Sequence, residues 1–201
     1  EPQAELLIEP TEEINASAYG ILDDSGKHLI CLTAGIVKQL TDEQLRCILG
    51  HEIGHNAYGH TQLIDDISLI YRDEDEVPEL LGSQIRVLRR LQEFSADRAG
   101  LVAVNNNVTT AAAALLHGLT GLGPEHIHVD FDAFTDEISR LEAFDIPDKL
   151  GLDSHPLLPL RIRALQIFAT NPDDEEGVMK LARMMDFEAH DAAVVHERNL
   201  L

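Results

Sequence analysis

Apolar positions follow two patterns along this chain. Near its start, short apolar runs bounded by turn residues predict β-strands at residues 6–8, 14–19 and 29–33, with a turn at 23–26. From Ala34 onward, apolar residues recur every three to four positions, which predicts helices. We expect these helices near residues 42–58, 79–104, 109–118, 130–144, 159–169, 174–187 and 190–199. The order predicts an α+β fold in which a small sheet is segregated from a larger helical part.

The helix predicted at residues 42–58 begins with a recognisable signal. Thr41 is the predicted N-cap, and Gln44, three residues later, completes a capping box. Apolar or small residues then follow at helical spacing and predict a buried stripe, namely Leu45, Ile48, Leu49, Ile53 and Ala57. Gly54 costs about 1 kcal/mol relative to Ala inside a helix. Either a close approach of backbone or substrate explains this glycine, or its cost is simply tolerated.

The same helix contains His51-Glu52-Ile53-Gly54-His55, a pattern that can hold zinc. Residues four apart lie on one face, separated by roughly 6 Å along the axis, so both imidazoles can reach one ion. They would supply two ligands of a tetrahedral catalytic zinc and leave room for a third residue and a water. Glu52 lies beside them, where it can take a proton from that water as general base.

A third ligand is expected from Glu93 or Asp97, which lie four apart in the helix predicted at residues 79–104. Alone, such a pair is most simply a solvated helix face. Here the neighbours Phe94 and Ala96 are apolar or small, which favours a packed helix on which a carboxylate needs a partner. We expect Glu93 to bind the metal and Asp97 to orient a ligand histidine.

Four motifs follow one another along the chain, namely residues 14–20, residues 51–55, residues 93–97, and Ser154-His155-Pro156 followed by Arg161. Together they resemble the family of the CAAX prenyl endopeptidase and the heat-shock protease HtpX. Its small soluble members are called minigluzincins. The similarity covers about residues 9–170, and residues 171–201 would add C-terminal helices.

The resemblance implies a zincin-like metallopeptidase domain spanning residues 1–201, with one zinc ion per chain. It implies that His51, His55 and Glu93 are the zinc ligands and that Glu52 is the catalytic glutamate. It also implies that Asp97 supports a ligand histidine.

The resemblance further implies how a peptide or protein substrate is bound and cleaved. Asn15 and Ala16 would lie on the edge strand beside the site, where an extended peptide can add to the sheet. His155 would face the substrate carbonyl and stabilise the oxyanion, and Arg161 would line the same site. Without the other motifs, a His-Pro pair would more simply mark a loop before a helix.

Three further groups of residues receive plainer interpretations. His60 is five residues beyond His55, so we expect it off the ligand face, capping the helix or meeting solvent. His126-Ile127-His128 follows a loop with Gly and Pro and is expected at the surface. Cys31 and Cys47 lie in apolar elements and are expected to be reduced core residues, with a disulfide as the alternative.

Composition limits the possible partners. The formal net charge of −21 over 201 residues argues against nucleic acid or anionic membranes as partners and favours a cationic or extended peptide. The longest apolar runs are too short to span a bilayer, although the best-known members of the family that the chain resembles are membrane proteins. With no signal peptide, we expect a cytoplasmic protein. The oligomeric state stays open.

The sequence thus predicts a zinc endopeptidase and leaves two alternatives. One is a zinc-binding pseudo-enzyme or regulatory scaffold, which would have little use for Glu52. The other is a different zinc hydrolase, such as an amidase or an aminopeptidase; the latter needs an acidic group for the free amine of its substrate.

Overall fold

A computed structural model of the chain describes residues 4–21, 27–61, 70–71, 77–123, 125–127 and 158–183. In these ranges the protein is mainly helical with one three-stranded sheet, which confirms the predicted α+β class. The chain divides into two compact units, one formed from residues 1–66 and 95–131 and the other from residues 67–94 and 132–201.

The sheet belongs to the first unit and has the order β1-β3-β2. Its strands are β1 (Ala4–Glu9), β2 (Ala16–Ile21) and β3 (His28–Thr33). Strand β3 lies in the centre, parallel to β1 and antiparallel to β2, and it buries Ile30 and Leu32 on one face. All three predicted strands are confirmed, although β2 begins at Ala16 rather than at residue 14. The predicted turn at residues 23–26 lies outside the described residues.

Thr33 joins the sheet to the helical part. Its hydroxyl caps helix α1 (Ala34–Gln39) by accepting a hydrogen bond from the Ile36 N–H at 3.3 Å. Its backbone N–H donates to the Asn15 carbonyl at 3.0 Å, and the Asn15 N–H donates to the Thr33 hydroxyl at 3.0 Å. One residue therefore ends β3, starts α1 and holds the chain at the entry to β2.

Helix α2 (Asp42–Ala57) has the predicted capping box. The Gln44 N–H donates to the Thr41 hydroxyl at 3.3 Å, and the Thr41 N–H donates to the Gln44 side-chain oxygen at 3.1 Å. The amide nitrogen of Gln44 then donates to Nδ1 of His117 at 3.1 Å, on helix α4 (Val108–Thr120). The cap thereby also ties α2 to a neighbouring helix through a buried contact.

The predicted apolar stripe of α2 is wrong in its second half. Cys47 and Ile48 are buried, but Ile53 is 49% exposed and Ala57 is also exposed. The residues buried after Ile48 are small or polar instead, namely Gly50, His51, Glu52, Gly54 and Asn56. The second half of the helix buries polar side chains instead of apolar ones. The apolar periodicity therefore stops where the predicted metal-binding residues begin.

Two glycines let α2 approach helix α3 (Glu79–Ala103) closely. A Cβ at Gly50 would lie 2.7 Å from the Ala103 Cβ, and a Cβ at Gly54 would lie 2.8 Å from the Ala99 Cβ. Both distances are shorter than a real Cβ contact. Gly54 is therefore explained by close approach of another helix, which was one of the two alternatives.

The second unit contains helices α5 (Leu158–Thr170) and α6 (Glu175–Arg183). Its described core includes Phe94 of α3 and several residues of α5 and α6, namely Leu160, Ala164, Val178, Leu181 and Ala182. The helices predicted at residues 109–118 and 159–169 are confirmed, and so is the start of the one predicted at 174–187. Those predicted at residues 130–144 and 190–199 lie outside the described residues.

Gly54→Ala tests the close approach of α2 and α3. The added methyl group overpacks the crossing, and we expect the free energy of unfolding to fall by about 1–3 kcal/mol. Gly118→Ala is the matched control, because a Cβ there would meet only Ile48 Cδ1 at 3.9 Å. The control should gain up to about 1 kcal/mol from helix propensity. Urea unfolding measures both, and a Gly54→Ala protein as stable as wild type would contradict the assignment.

Candidate metal centre

Helix α2 carries three of the predicted site residues within two adjacent turns. His51 is 8% exposed, Glu52 is 7% exposed, and His55 is half-buried. The Nε2 atoms of His51 and His55 lie 3.0 Å apart, with their rings meeting edge to face. These two histidines are the pair predicted to bind one ion, and their Nε2 atoms face each other.

Asp97 contacts His51 from helix α3. Its Oδ1 lies 2.9 Å from His51 Nδ1, and its side chain is fully buried. Since a carboxylate only accepts hydrogen bonds, the proton of neutral His51 lies on Nδ1. The lone pair of His51 is then on Nε2, the nitrogen that faces His55.

Glu93 is one helical turn before Asp97 on the same continuous helix. One oxygen of Glu93 and one nitrogen each of His51 and His55 lie within 4.8 Å of one another. Among the residues that the structure describes, these three form the group that could hold a metal ion.

The donor set and its spacing fit zinc. Two histidines and one glutamate are a ligand set of catalytic zinc sites that keep a fourth position open. Two nitrogens bound tetrahedrally at about 2.0–2.1 Å would be about 3.3 Å apart. The 3.0 Å between the two Nε2 atoms is close to this separation. Only a small displacement would be needed for both histidines to bind one ion.

Arg161 contacts Glu93 within the second unit. Its guanidinium nitrogen lies 3.5 Å from a carboxylate oxygen of Glu93, and both side chains are more than nine-tenths buried. A buried carboxylate needs a cationic or hydrogen-bonding partner to stay ionised. Arg161 can therefore keep Glu93 charged and orient it, while its lining of the substrate site stays a prediction.

The remaining predicted site residues are less centrally placed or lie outside the described ranges. Asn15 is exposed just before β2, and Ala16 pairs with Leu32 of β3. Among the described strands, β2 pairs with β3 alone, so its other side is a sheet edge there. His155 lies outside the described residues.

His60 was misjudged from the sequence. It is only 8% exposed, with Nδ1 3.0 Å from His55 Nδ1 and Nε2 3.2 Å from the Ser95 hydroxyl. The error arose because the helical projection was extended past the end of α2. Tyr58 is the C-cap and Gly59 has φ +69°, so the chain leaves the helix and returns toward His55. A glycine placed just before His60 is the signal that could have revealed this turn.

The other plain interpretations are confirmed for the residues described, with one exception. His126 is exposed and lies 3.4 Å from Glu125, as expected of a surface residue. Cys31 and Cys47 are both free, as expected, but only Cys47 is a core residue, because Cys31 is half-buried. In the described ranges, no helix has the length and apolar character needed to cross a membrane.

The mainly helical fold with its small sheet is consistent with a zincin-like domain, and the group formed by His51, His55 and Glu93 could hold the metal ion of such a domain. The sequence profile of Peptidase family M48 matches residues 2–71 and 77–169, which is well over half of the chain. The chain therefore belongs to peptidase family M48.

Protease HtpX of Chromohalobacter salexigens is a relative with 26% identity. The aligned region covers 81% of this chain and 65% of that protein, so the chain spans less than two thirds of the relative's length. No solved structure gives a significant match.

Asp97→Asn tests the contact to His51. Loss of the carboxylate charge weakens the partner of a ligand histidine, and we expect zinc affinity to fall about 10–100-fold. Competition with a chelator of known affinity measures this change. Asp42→Asn, an exposed position in the first turn of α2, is the control and should bind zinc as wild type does. Equal affinity in Asp97→Asn and wild type would remove Asp97 from the site.

Proposed function

We propose that this chain is a zinc-dependent endopeptidase with His51, His55 and Glu93 as metal ligands. The observation that carries the proposal is the convergence of one donor atom from each within 4.8 Å, beside the buried Glu52. Membership of peptidase family M48 supports the reaction class. We further propose that residues 1–201 form one metallopeptidase domain, since α3 runs unbroken through residues of both compact units.

Zinc held by these three residues would supply a Lewis acid and lower the pKa of a water to roughly 7. Glu52 would accept a proton from that water and deliver it to the leaving amine. General acid–base work of this kind typically contributes about 10²–10⁴-fold to the rate. Glu52 is suited to both steps because it is adjacent in sequence to His51 and shares its buried face of α2.

Two residues would hold the ligands in place. Asp97 would keep the proton of His51 on Nδ1, so that Nε2 stays available. Arg161 would keep Glu93 ionised in its buried position. His155 is proposed as the donor that stabilises the oxyanion of the substrate carbonyl, on the basis of the sequence motif alone.

The substrate is proposed to be an extended peptide that adds to the edge of β2. Asn15 and Ala16 lie at the start of this strand, and the described strands leave one side of it uncovered. Backbone hydrogen bonds would then align the peptide without regard to its sequence. The net charge of −21 would attract cationic peptides in particular.

The position of Glu52 favours catalysis over a scaffold that only stores zinc. Glu52 lies on the buried face of α2 next to His51, where a general base would be needed. Neither zinc storage nor display of an acidic surface requires a carboxylate at this position. The pseudo-enzyme alternative therefore gives Glu52 no chemical role.

Cleavage of a mixed peptide library by the zinc-loaded protein tests the proposal. We expect wild type to cleave and Glu52→Gln to lose at least 10²-fold in rate while still binding one zinc per chain. Glu43→Gln, at an exposed position in the first turn of the same helix, is the control and should cleave at the wild-type rate.

Each other outcome has a distinct meaning. Equal cleavage by wild type and Glu52→Gln would show either that Glu52 is not the general base or that a contaminating peptidase cleaves the library. Zinc binding without cleavage by wild type would support the scaffold alternative. Failure of wild type to bind zinc would overturn the metal site itself.

A further inference from the structure

His60 occupies a position next to the proposed metal centre that the mechanism above does not use. It follows the left-handed Gly59 and returns toward helix α2, where it is 8% exposed. Its ring lies edge to face with that of His55, with centroids 5.0 Å apart. Its two nitrogens contact different residues, Nδ1 with His55 and Nε2 with Ser95.

The positions of the protons follow from the use of His55 as a ligand. A neutral imidazole has one N–H and one lone pair. If Nε2 of His55 provides the lone pair, its proton lies on Nδ1, which is 3.0 Å from His60 Nδ1. That nitrogen of His60 must accept, so the proton of His60 lies on Nε2, which donates to the Ser95 hydroxyl at 3.2 Å. These contacts define one direction of donation, from His55 to His60 to Ser95.

The two ligand histidines are therefore supported in different ways. His51 donates to the buried carboxylate of Asp97, whereas His55 donates to a neutral imidazole. The hydrogen bond of a ligand histidine to its outer partner sets which nitrogen is free and how the ring is oriented. Without an acceptor at His60 Nδ1, the His55 ring could rotate or carry its proton on Nε2, and neither state binds the ion there.

We propose that His60 is a positioning residue that holds His55 in its metal-binding tautomer and orientation, and that Ser95 anchors it. The inference rests on the proposed metal site, because it assigns a role relative to the ligand His55. It adds a residue that acts through His55 and does not touch the metal or the substrate.

Two substitutions at position 60 separate the hydrogen-bond role from simple packing. His60→Phe keeps an aromatic ring of similar size but has no acceptor for the His55 proton. His60→Asn loses ring volume, but its side-chain oxygen can take the place of Nδ1. We expect zinc affinity to fall about 10–100-fold in His60→Phe and to recover largely in His60→Asn. A role in packing alone would give the opposite order.

His126 supplies the matched control. It is exposed, and the same two substitutions there should leave zinc affinity unchanged. Chelator competition measures the affinities, and thermal unfolding followed by circular dichroism shows that each variant is folded. Unchanged zinc affinity in His60→Phe, or equal losses in His60→Phe and His60→Asn, would overturn the proposal.

A measurement on wild type covers the case in which a variant fails to fold. Long-range ¹H–¹⁵N NMR of the zinc-loaded protein identifies the protonated nitrogen of each neutral histidine. We expect the proton of His60 on Nε2 and that of His55 on Nδ1. If wild type binds zinc but the proton of His60 lies on Nδ1, the proposal is overturned and the metal site proposed above stands. If wild type binds no zinc, the metal site proposed above fails and this role of His60 fails with it.

Discussion

The close crossing of α2 and α3 is the constraint on which the described site depends. Gly50 and Gly54 of α2 face small residues of α3, namely Ala96, Ala99, Gly100 and Ala103. Only at this short separation can Asp97 of α3 reach His51 of α2 with a hydrogen bond of 2.9 Å. Each glycine lowers the stability of its helix by about 1 kcal/mol relative to Ala. The close crossing in return fixes the distance between Asp97 and His51.

The buried face of α2 illustrates a common conflict between folding and chemistry. A helix at the edge of a core normally buries apolar residues, but the second half of α2 buries His51, Glu52 and Asn56. Buried polar groups of this kind are tolerated when they find partners. The contacts of His51 with Asp97 and of His60 with His55 and Ser95 supply such partners. The hydrogen bond to Asp97 that offsets the burial of His51 also places the proton of that histidine on Nδ1.

Much of the fold follows from local patterns. The capping box of Thr41 and Gln44, the apolar run that forms β3 and the bounds of α3 were all predictable, because each depends on residues near in sequence. The predicted stripe through Ile53 and Ala57 was wrong because periodicity cannot show that the inward face carries a site. His60 was misjudged because one left-handed glycine after α2 ends the helical geometry on which the projection relied.

The sequence alone determined the kind of chemistry. The spacing of His51 and His55 follows from the helical repeat, and two histidines with a glutamate are a donor set that favours zinc, which is why the sequence predicts a zinc site. The tertiary structure decided which groups meet, since contacts between Asp97 and His51, Arg161 and Glu93, and His60 and His55 join residues on different elements. Such contacts depend on how closely helices pack and where the chain turns back. Glycines such as Gly54 and Gly59 permit a close approach or a turn, but which residues then meet depends on the packing of elements distant in sequence.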